Sequence, residues 1–230
     1  MTAVAASGAG PRPVVAGSVG VLGGTFYPIH FGHLAIAEEA RETLGLERVL
    51  FVPARVPPHK PGRKITAVED LVAMVALAIA DNPAFELCEL ELAREGPSYT
   101  VDTLDELVAQ ARSAVRDPDL TFILSAEALS GILSWREPRR ILELARVAVV
   151  PRPGHDVPSP AWLREHFGGL EDRLVILGGP HIGISGSEIR AHAAAGRSIR
   201  YFVPATVARY VADHRPYIGT GDTPWRNQRP

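Results

Sequence analysis

The sequence predicts an α/β fold with a single doubly wound, Rossmann-like sheet that is mostly parallel and has helices on both faces. Short β-like runs alternate along the chain with segments of helical periodicity, which is the order of elements in such folds. Several of these runs are almost entirely apolar, as strands covered by helices on both faces are. Because the middle of the chain contains no internal repeat and no low-complexity linker, one domain is expected.

The predicted elements follow one another in regular order. Strands are predicted over residues 18–22, 48–53, 85–92, 120–125, 147–150 and 174–177. Helices are predicted over residues 31–44, 67–81, 100–115, 138–145, 186–195 and 204–213. The buried face of the second helix is predicted from apolar residues at helical spacing, namely Leu71, Met74, Val75, Ala78 and Ile79.

The two ends of the chain differ from its middle. Residues 1–17 are rich in Ala, Gly and Pro and are predicted to be disordered, residues 18–214 form the predicted domain, and residues 215–230 are predicted to be a loose tail. The single cysteine, Cys88, has no partner for an intrachain disulfide, which favours a reducing compartment. The N-terminus does not resemble a secretory signal, and the longest apolar run, residues 71–80, is too short to cross a bilayer. The predicted location is therefore cytoplasmic.

Composition and charge restrict the function only weakly. The composition, 46% hydrophobic and 22% charged over 230 residues, is typical of a globular domain with a sizeable core. The formal net charge of −2 gives no argument for a nucleic-acid partner or for an anionic membrane surface. Neither partner is predicted, and a homo-oligomer is left open.

The first predicted strand runs directly into a glycine pair, Gly23-Gly24. At these residues the backbone can turn sharply and approach a ligand without a Cβ atom in the way. The carboxyl end of a strand is also where α/β folds bind nucleotides. Pro28 then fixes one backbone angle, and a helix is predicted to begin near Ile29 or His30, where free N–H groups make a phosphate site.

Two histidines, His30 and His33, stand at this predicted helix start. Three residues apart on a helix, they share a face and can point at one anion, and Gly32 between them keeps that face open. Imidazoles there can donate hydrogen bonds to phosphate oxygens and, when protonated, offset charge that develops during nucleotidyl transfer. The alternative to a catalytic role is that the two histidines lie at the surface by chance or make a helix-end contact. A zinc site of His30, His33 and His59 lacks nearby cysteines and carboxylates, so no metal ligand is assigned.

The segment 23–34, GGTFYPIHFGHL, resembles the HxGH signature of the nucleotidylyltransferase superfamily. Its form, GGTF-x-PIH-x-GH, is similar to that of the bacterial nicotinate-nucleotide adenylyltransferases. Further segments resemble that family in the family's own order: PPHK at 57–60, GPSYTVDTL at 96–104, SAEAL and SWREP at 125–129 and 134–138, ISGSEIR at 184–190, and VPATVARYV at 203–211. The resemblance therefore covers the chain from about Val19 to His214.

The resemblance implies that the phosphate of nicotinate mononucleotide attacks the α-phosphorus of ATP, giving nicotinate adenine dinucleotide and pyrophosphate in NAD biosynthesis. ATP would enter with Mg²⁺ bridging the oxygens of its triphosphate. The implied catalytic residues, which would contact the triphosphate, are His30, His33, Lys60 and Arg190. Further implied ATP contacts are Gly23, Gly24, Thr25, Phe26, Ser125, Glu127, Ile184, Ser185 and Ser187. The implied contacts to nicotinate mononucleotide are Lys60, Tyr99, Thr100 and Trp135.

Four residues depart from the family pattern. Tyr27 stands where the family usually has Asp, and Gly186 where it has Ser. Ser125 and Glu127 stand where it has Gly and Asp. These departures keep two alternatives open: a divergent superfamily member with another acceptor, and a nucleotide-binding regulator without catalysis. The GPSYT-type segment and Trp135 argue against phosphopantetheine as that acceptor, and the chain has no room for the tRNA-binding domain of a class I aminoacyl-tRNA synthetase. The choice between nicotinate and nicotinamide mononucleotide is left open.

Overall fold

Six parallel strands form the centre of the computed structural model, which describes residues 17–56, 67–113 and 119–217. The strands are β1 (Ser18–Gly24), β2 (Arg48–Pro53), β3 (Phe85–Leu87), β4 (Asp119–Ser125), β5 (Arg146–Val150) and β6 (Leu174–Ile176). They are hydrogen-bonded in the order β3-β2-β1-β4-β5-β6, and every neighbouring pair is parallel. The chain reverses its direction of winding between β1 and β4, which is where doubly wound folds bind their ligands.

Helices connect the strands. They are α1 (Phe31–Leu44), α2 (Val68–Ile79), α3 (Leu90–Ala93), α4 (Thr100–Ser113), α5 (Ala126–Leu129), α6 (Pro138–Leu144), α7 (Pro160–Phe167), α8 (Gly186–Ala194) and α9 (Ala205–His214). Short 3₁₀ turns lie at Ile132–Ser134 and Glu171–Arg173. All six predicted helices are present, and their described ends agree with the prediction to within two residues. Residues 114–115, the last two of the helix predicted over 100–115, lie outside the described residues.

The predicted strand over residues 85–92 is wrong in its second half. β3 ends at Leu87, and the chain then forms the short helix α3. The alternation of apolar and acidic residues suggested a strand with one solvated face, yet Glu91 is buried and accepts a hydrogen bond from Thr103 Oγ1 at 2.7 Å. The alternating pattern therefore does not mark an exposed strand face here, because the acidic residue Glu91 is buried.

Helix α7 is absent from the elements predicted above. Its start nevertheless carries two helix-start signals, a Ser at the N-cap and a Pro at the first helical position. The Ser159 hydroxyl accepts a hydrogen bond from the backbone N–H of Trp162 at 3.2 Å, and Pro160 follows it. The start of α7 is therefore encoded in the sequence by its capping residues.

Apolar side chains pack on both faces of the sheet. Because neighbouring residues of a strand point to opposite faces, Val21 packs on one side with α4 and α6, and Leu22 on the other with α1, α2, α8 and α9. The predicted apolar stripe of α2 is buried along its whole length. Helices thus cover both faces, and the predicted fold class is confirmed.

The folded chain extends beyond the predicted domain end at residue 214. Tyr217 is 2% exposed, packs in the core that contains α2 and α9, and donates a hydrogen bond to Met74 Sδ at 3.3 Å. Residues 1–16 and 218–230 lie outside the described residues, so the disordered extension and the remaining loose tail stay predictions. Within the described ranges, no helix is both long enough and apolar enough to span a membrane.

Candidate active site

A cavity of about 200 Å³ lies beyond the carboxyl ends of β1 and β4, and we call it the basic pocket. The β1–α1 connection, the start of α8, and residues that follow β4 and β5 form its walls. The pocket is lined by Thr25, Tyr27, Pro28, His30, His33, Glu127, Arg152, Ile184, Ser185, Gly186, Ser187 and Arg190. Most of the residues that the resemblance assigned to ATP therefore meet at one place.

The predicted contacts at the glycine turn fall into two groups. Thr25 lines the basic pocket, whereas Gly23, Gly24 and Phe26 lie outside its lining. Phe26 is fully buried with a φ of 43°, a left-handed conformation that a bulky residue adopts only when its surroundings hold it there. Its ring meets the ring of His33 edge-on with the centroids 5.1 Å apart, and a Cβ atom at Gly24 would lie 3.3 Å from Phe26. Phe26 therefore packs against the ring of His33, and Gly24 leaves room for the ring of Phe26.

His30 and His33 form a stacked pair at the start of α1. Their ring centroids are 3.7 Å apart with the planes inclined by 21°, and the backbone N–H of His30 donates to His33 Nδ1 at 3.2 Å. Because Nδ1 accepts that bond, a neutral His33 carries its proton on Nε2. A Cβ atom at Gly32 would lie 3.0 Å from the His30 ring. The glycine between the histidines thus makes room for the imidazole of His30.

His30 is neutral at physiological pH. It is 7% exposed, and its burial, followed by the positive charge of Arg152, lowers its pKa from 6.5 to about 4. The residue is the N-cap of α1, and the helix begins at Phe31. His30 can therefore donate a hydrogen bond to an anion while bringing no charge of its own.

Arg190 supplies a buried positive charge to the basic pocket. It is 3% exposed and lies one turn into α8. Its Nη1 donates to the backbone carbonyl of Tyr27 at 2.6 Å, and its Nη2 donates to Ser187 Oγ at 3.0 Å. The guanidinium also lies over the ring of Tyr27, 4.4 Å from its centroid. Together these contacts fix the orientation of the cation.

Two of the departures from the family pattern, Tyr27 and Gly186, are in contact. The Tyr27 ring is 5% exposed, its hydroxyl oxygen is buried, and the ring meets that of Tyr217 edge-on at 5.3 Å. A Cβ atom at Gly186 would lie 3.0 Å from the Tyr27 carbonyl oxygen, which accepts the hydrogen bond from Arg190. The phenol is thus a core group beneath the guanidinium, and Gly186 leaves room for the Tyr27 carbonyl.

Arg152 is a pocket residue that the sequence analysis did not identify. Its Nη1 pairs with Glu127 Oε2 at 2.7 Å, and its Nη2 donates to the carbonyl of Ile184 at 3.5 Å. The signal was present as an Arg two residues after the end of β5, a position at the ligand-binding edge of the sheet. Glu127, predicted as an ATP contact, lines the pocket as the partner of this cation.

The remaining predicted ATP contacts differ in position. Ile184, Ser185 and Ser187 line the pocket, and Ser185 is the N-cap of α8 without using its side chain as a cap. Ser125 does not line it. Its hydroxyl accepts a hydrogen bond from the backbone N–H of Ala128 at 3.3 Å and caps α5. In this structure Ser125 thus shapes the turn that presents Glu127.

Three of the residues predicted to face nicotinate mononucleotide, Tyr99, Thr100 and Trp135, lie outside the basic pocket. The guanidinium of Arg136 lies over the ring of Tyr99 at 5.0 Å, and Trp135 meets Phe122 of β4 edge-on at 6.2 Å. Thr100 is the first residue of α4. Tyr99 and Trp135 pack against the same core cluster. The structure thus places these two aromatic residues on the face of the sheet opposite α1.

The segment 96–100 is attached to the exit of β2 through Ser98. The Ser98 hydroxyl accepts the backbone N–H of Arg55 at 3.1 Å, and the backbone N–H of Ser98 donates to the Val56 carbonyl at 2.9 Å. Buried Glu91 bonds Thr103 and Ser98, and its burial raises its carboxyl pKa. These bonds hold the segment at the ligand-binding edge.

His59 and Lys60 lie outside the described residues, so their predicted roles stay predictions.

Among the described residues, no three His, Cys, Asp or Glu side chains are grouped as a metal site would require. The polar side chains of the basic pocket are arginines, histidines, hydroxyls and one carboxylate, Glu127, which is paired with Arg152. This donor set suits an anion better than a cation such as Mg²⁺, which prefers several oxygen ligands.

The fold and the basic pocket are those expected of an α/β nucleotide-binding protein, in which helix starts and cations at the carboxyl edge of the sheet suit phosphate groups. The cytidylyltransferase-like family model matches residues 21–192, and the chain belongs to this family and, within it, to the nicotinate-nucleotide adenylyltransferases. A relative from Symbiobacterium thermophilum, named a probable nicotinate-nucleotide adenylyltransferase, is 45% identical over 201 residues, 87% of this chain and 95% of the relative. One of the same name from Roseiflexus sp. (strain RS-1) is 47% identical over 199 residues, 86% of this chain and 97% of the relative.

Solved structures agree with the fold. The Plasmodium falciparum nicotinic acid mononucleotide adenylyltransferase complexed with NaAD matches with a TM-score of 0.70 at 16% identity, covering 88% of this chain and 98% of that one. A putative nicotinate-nucleotide adenylyltransferase from Vibrio parahaemolyticus matches with a TM-score of 0.63, also at 16% identity, covering 89% and 97%. The predicted family and the predicted enzyme class, nucleotidyltransferase, are confirmed.

Proposed function

We propose that the protein transfers the adenylyl group of ATP to nicotinate mononucleotide and that the basic pocket receives the triphosphate. The names of the relatives support the reaction. The observation that carries the assignment of the pocket is Arg190, a buried and oriented cation that shares one cavity with two imidazoles and Arg152. Guanidinium groups bind phosphate oxygens through paired N–H bonds, so this arrangement suits a polyphosphate.

The reaction requires alignment and charge stabilisation more than proton transfer. The phosphate of nicotinate mononucleotide is ionised at neutral pH, so no strong general base is needed when its oxygen attacks the α-phosphorus of ATP. As the bond from that phosphorus to the bridging oxygen breaks, negative charge accumulates on the departing pyrophosphate. Arg190 and Arg152 supply positive charge for it, while His33 and the neutral His30 donate hydrogen bonds.

Mg²⁺ would enter as part of the MgATP co-substrate, held by the phosphate oxygens, where it offsets their charge. The one carboxylate of the pocket, Glu127, serves the protein differently in this proposal: it orients Arg152 through their 2.7 Å pair. The ribose contact implied for Glu127 by the resemblance stays a prediction. The cytoplasmic location and a homo-oligomer also stay open to direct measurement.

The aromatic residues beside β4 are proposed to receive the nicotinate ring. Tyr99 and Trp135 offer ring faces there, and Arg136 over Tyr99 adds a cation next to the site. Glu91 is proposed as a positioning residue, because its bonds to Ser98 and Thr103 lie on either side of Tyr99 and Thr100.

The test is pyrophosphate release by the purified protein with ATP and Mg²⁺, run in parallel with nicotinate mononucleotide, nicotinamide mononucleotide and phosphopantetheine. Fast release with nicotinate mononucleotide is expected. Release with phosphopantetheine alone would identify another acceptor, and ATP binding without release in any mixture would identify a regulator; either result refutes the proposal.

A pair of variants tests the role of the pocket in the same assay. His33→Ala should lower turnover about a hundredfold, because it removes one oriented donor. His166→Ala is the matched control, since His166 lies on α7 outside the basic pocket. Equal turnover in the two variants would remove His33 from the mechanism.

A further inference from the structure

A second and larger cavity, which we call the arginine cavity, has a volume of about 970 Å³. It lies between Phe31 at the start of α1, the connection from α8 to α9, and α9 itself. Tyr217 contributes to its wall. The arginine cavity and the basic pocket share no lining residue, so a ligand in one does not occupy the other. Its volume falls in the range of small-molecule sites, roughly 300–1,000 Å³.

Positive charge without a balancing carboxylate distinguishes the arginine cavity. Its lining contains Arg197, Arg200, Arg209 and Arg215, and no Asp or Glu is among the described residues that line it. Within the described part of the chain, none of these guanidinium groups forms an ion pair, in contrast to Arg140 and Arg146, which do. Like charges around one cavity repel one another, and a bound anion relieves that repulsion. The charge therefore favours an anionic ligand.

Apart from Ser198, the rest of the described lining is apolar, aromatic or glycine. The wall between the arginines consists of small side chains, among them Ala193, Ala208 and Val203. Two aromatic residues at the cavity are exposed to solvent, Phe31 at 41% and Tyr201 at 89%. A free inorganic anion would use the guanidinium groups but not these surfaces. A ligand that carries a flat ring as well as phosphate would use both.

We propose that the arginine cavity is a second ligand site that binds a mononucleotide, with the phosphate on the guanidinium groups and the base against the aromatic and small apolar side chains. The site is separate from the reaction centre, and the proposal does not rest on the proposed function. Arginine suits the phosphate because its planar fork binds two oxygens at once.

The stoichiometry of AMP binding to the full-length protein, measured by equilibrium dialysis, tests the proposal. One bound AMP per chain should be lost in the double variant Arg197→Glu/Arg209→Glu, or its affinity should fall at least about tenfold, because two of four cations become anions. Arg164→Glu is the matched control, since Arg164 is an exposed arginine on α7 outside both cavities. Equal AMP binding by wild type and double variant overturns the proposal.

Two further binding measurements distinguish the contribution of the base from that of the phosphate. Adenosine should bind to the site far more weakly than AMP, and so should inorganic pyrophosphate. Adenosine binding equal to that of AMP would exclude a role for the arginines, and pyrophosphate binding equal to that of AMP would exclude a role for the ring; either outcome overturns the assignment. A second variant, Arg200→Ser/Arg215→Ser, removes charge without reversing it and should show the same loss. Pyrophosphate release from ATP reports separately on the basic pocket.

Discussion

Replacement of Tyr27 by leucine should weaken both the fold and the binding of ATP. The Tyr27 ring touches two groups that the rest of the chain brings to it, the guanidinium of Arg190 at 4.4 Å and the ring of Tyr217 at 5.3 Å. Leucine keeps an apolar side chain at this buried position but removes both ring contacts. Tyr27→Phe keeps the ring and is the matched control, because it removes only the hydroxyl.

The size of the effect follows from the two contacts. An edge-to-face aromatic pair contributes about 1 kcal/mol beyond the burial of its area. A cation over a ring contributes about 2 kcal/mol when both groups are removed from water, and Arg190 is only 3% exposed. The free energy of unfolding of Tyr27→Leu should therefore be lower than that of Tyr27→Phe by about 3 kcal/mol.

Urea unfolding of the two variants, followed by tryptophan fluorescence, measures this difference. The Michaelis constant for ATP provides a second readout, because a less firmly held Arg190 should raise it about tenfold, the equivalent of about 1.4 kcal/mol. If the two variants unfold at the same urea concentration with the same slope, the ring contacts contribute nothing, and the account of Tyr27 as the support of Arg190 is wrong.

Three further predictions concern the neighbouring residues. Gly186→Ala should lower the free energy of unfolding by about 1–3 kcal/mol, because its Cβ would press on a carbonyl oxygen, while Gly183→Ala, where the space is open, should have little effect in the same urea assay. The pKa of His30 is about 4 in the folded state against 6.5 in the unfolded state, so the unfolded state binds the proton more tightly and acid favours it. Between pH 7 and pH 5 the free energy of unfolding of the wild type should fall by about 2 kcal/mol more than that of His30→Gln, measured by urea unfolding at each pH. Equal falls in the two proteins would contradict the assignment. Arg152→Ala should raise the His30 pKa but leave it below 6.5, because burial is the larger cause; an unchanged NMR titration would exclude the influence of Arg152.

The departures from the family pattern show what a linear comparison misses. In the sequence, Tyr27 and Gly186 are two separate exceptions, and Tyr27 in particular raises the question of how a phenol replaces a carboxylate near a polyphosphate. In the structure they are neighbours. The Tyr27 carbonyl oxygen accepts a hydrogen bond from Arg190, and a Cβ atom at Gly186 would lie only 3.0 Å from that oxygen. A phenol below the guanidinium does not act as a carboxylate in the pocket, so the two residues are better understood as one local arrangement.

Errors in the predicted elements have a similar origin. The strand predicted over residues 85–92 failed because Glu91, a carboxylate, is buried with Thr103 as its partner, and Thr103 lies on α4. Local alternation carries no information on such a partner. Helix α7 was different, since Ser159 and Pro160 marked its start in the sequence itself.

The sequence by itself determined the fold class, the six strands and the six longer helices it predicted, the helix start at the histidines and the family, because periodicity, capping residues and short motifs are local properties of the chain. Only the tertiary structure decided that Arg152 and Arg190 share a pocket with His30, that His30 is neutral, and that Tyr217 packs beneath the site. Burial and the distance between charges set these properties, and both arise when segments far apart in the chain pack together.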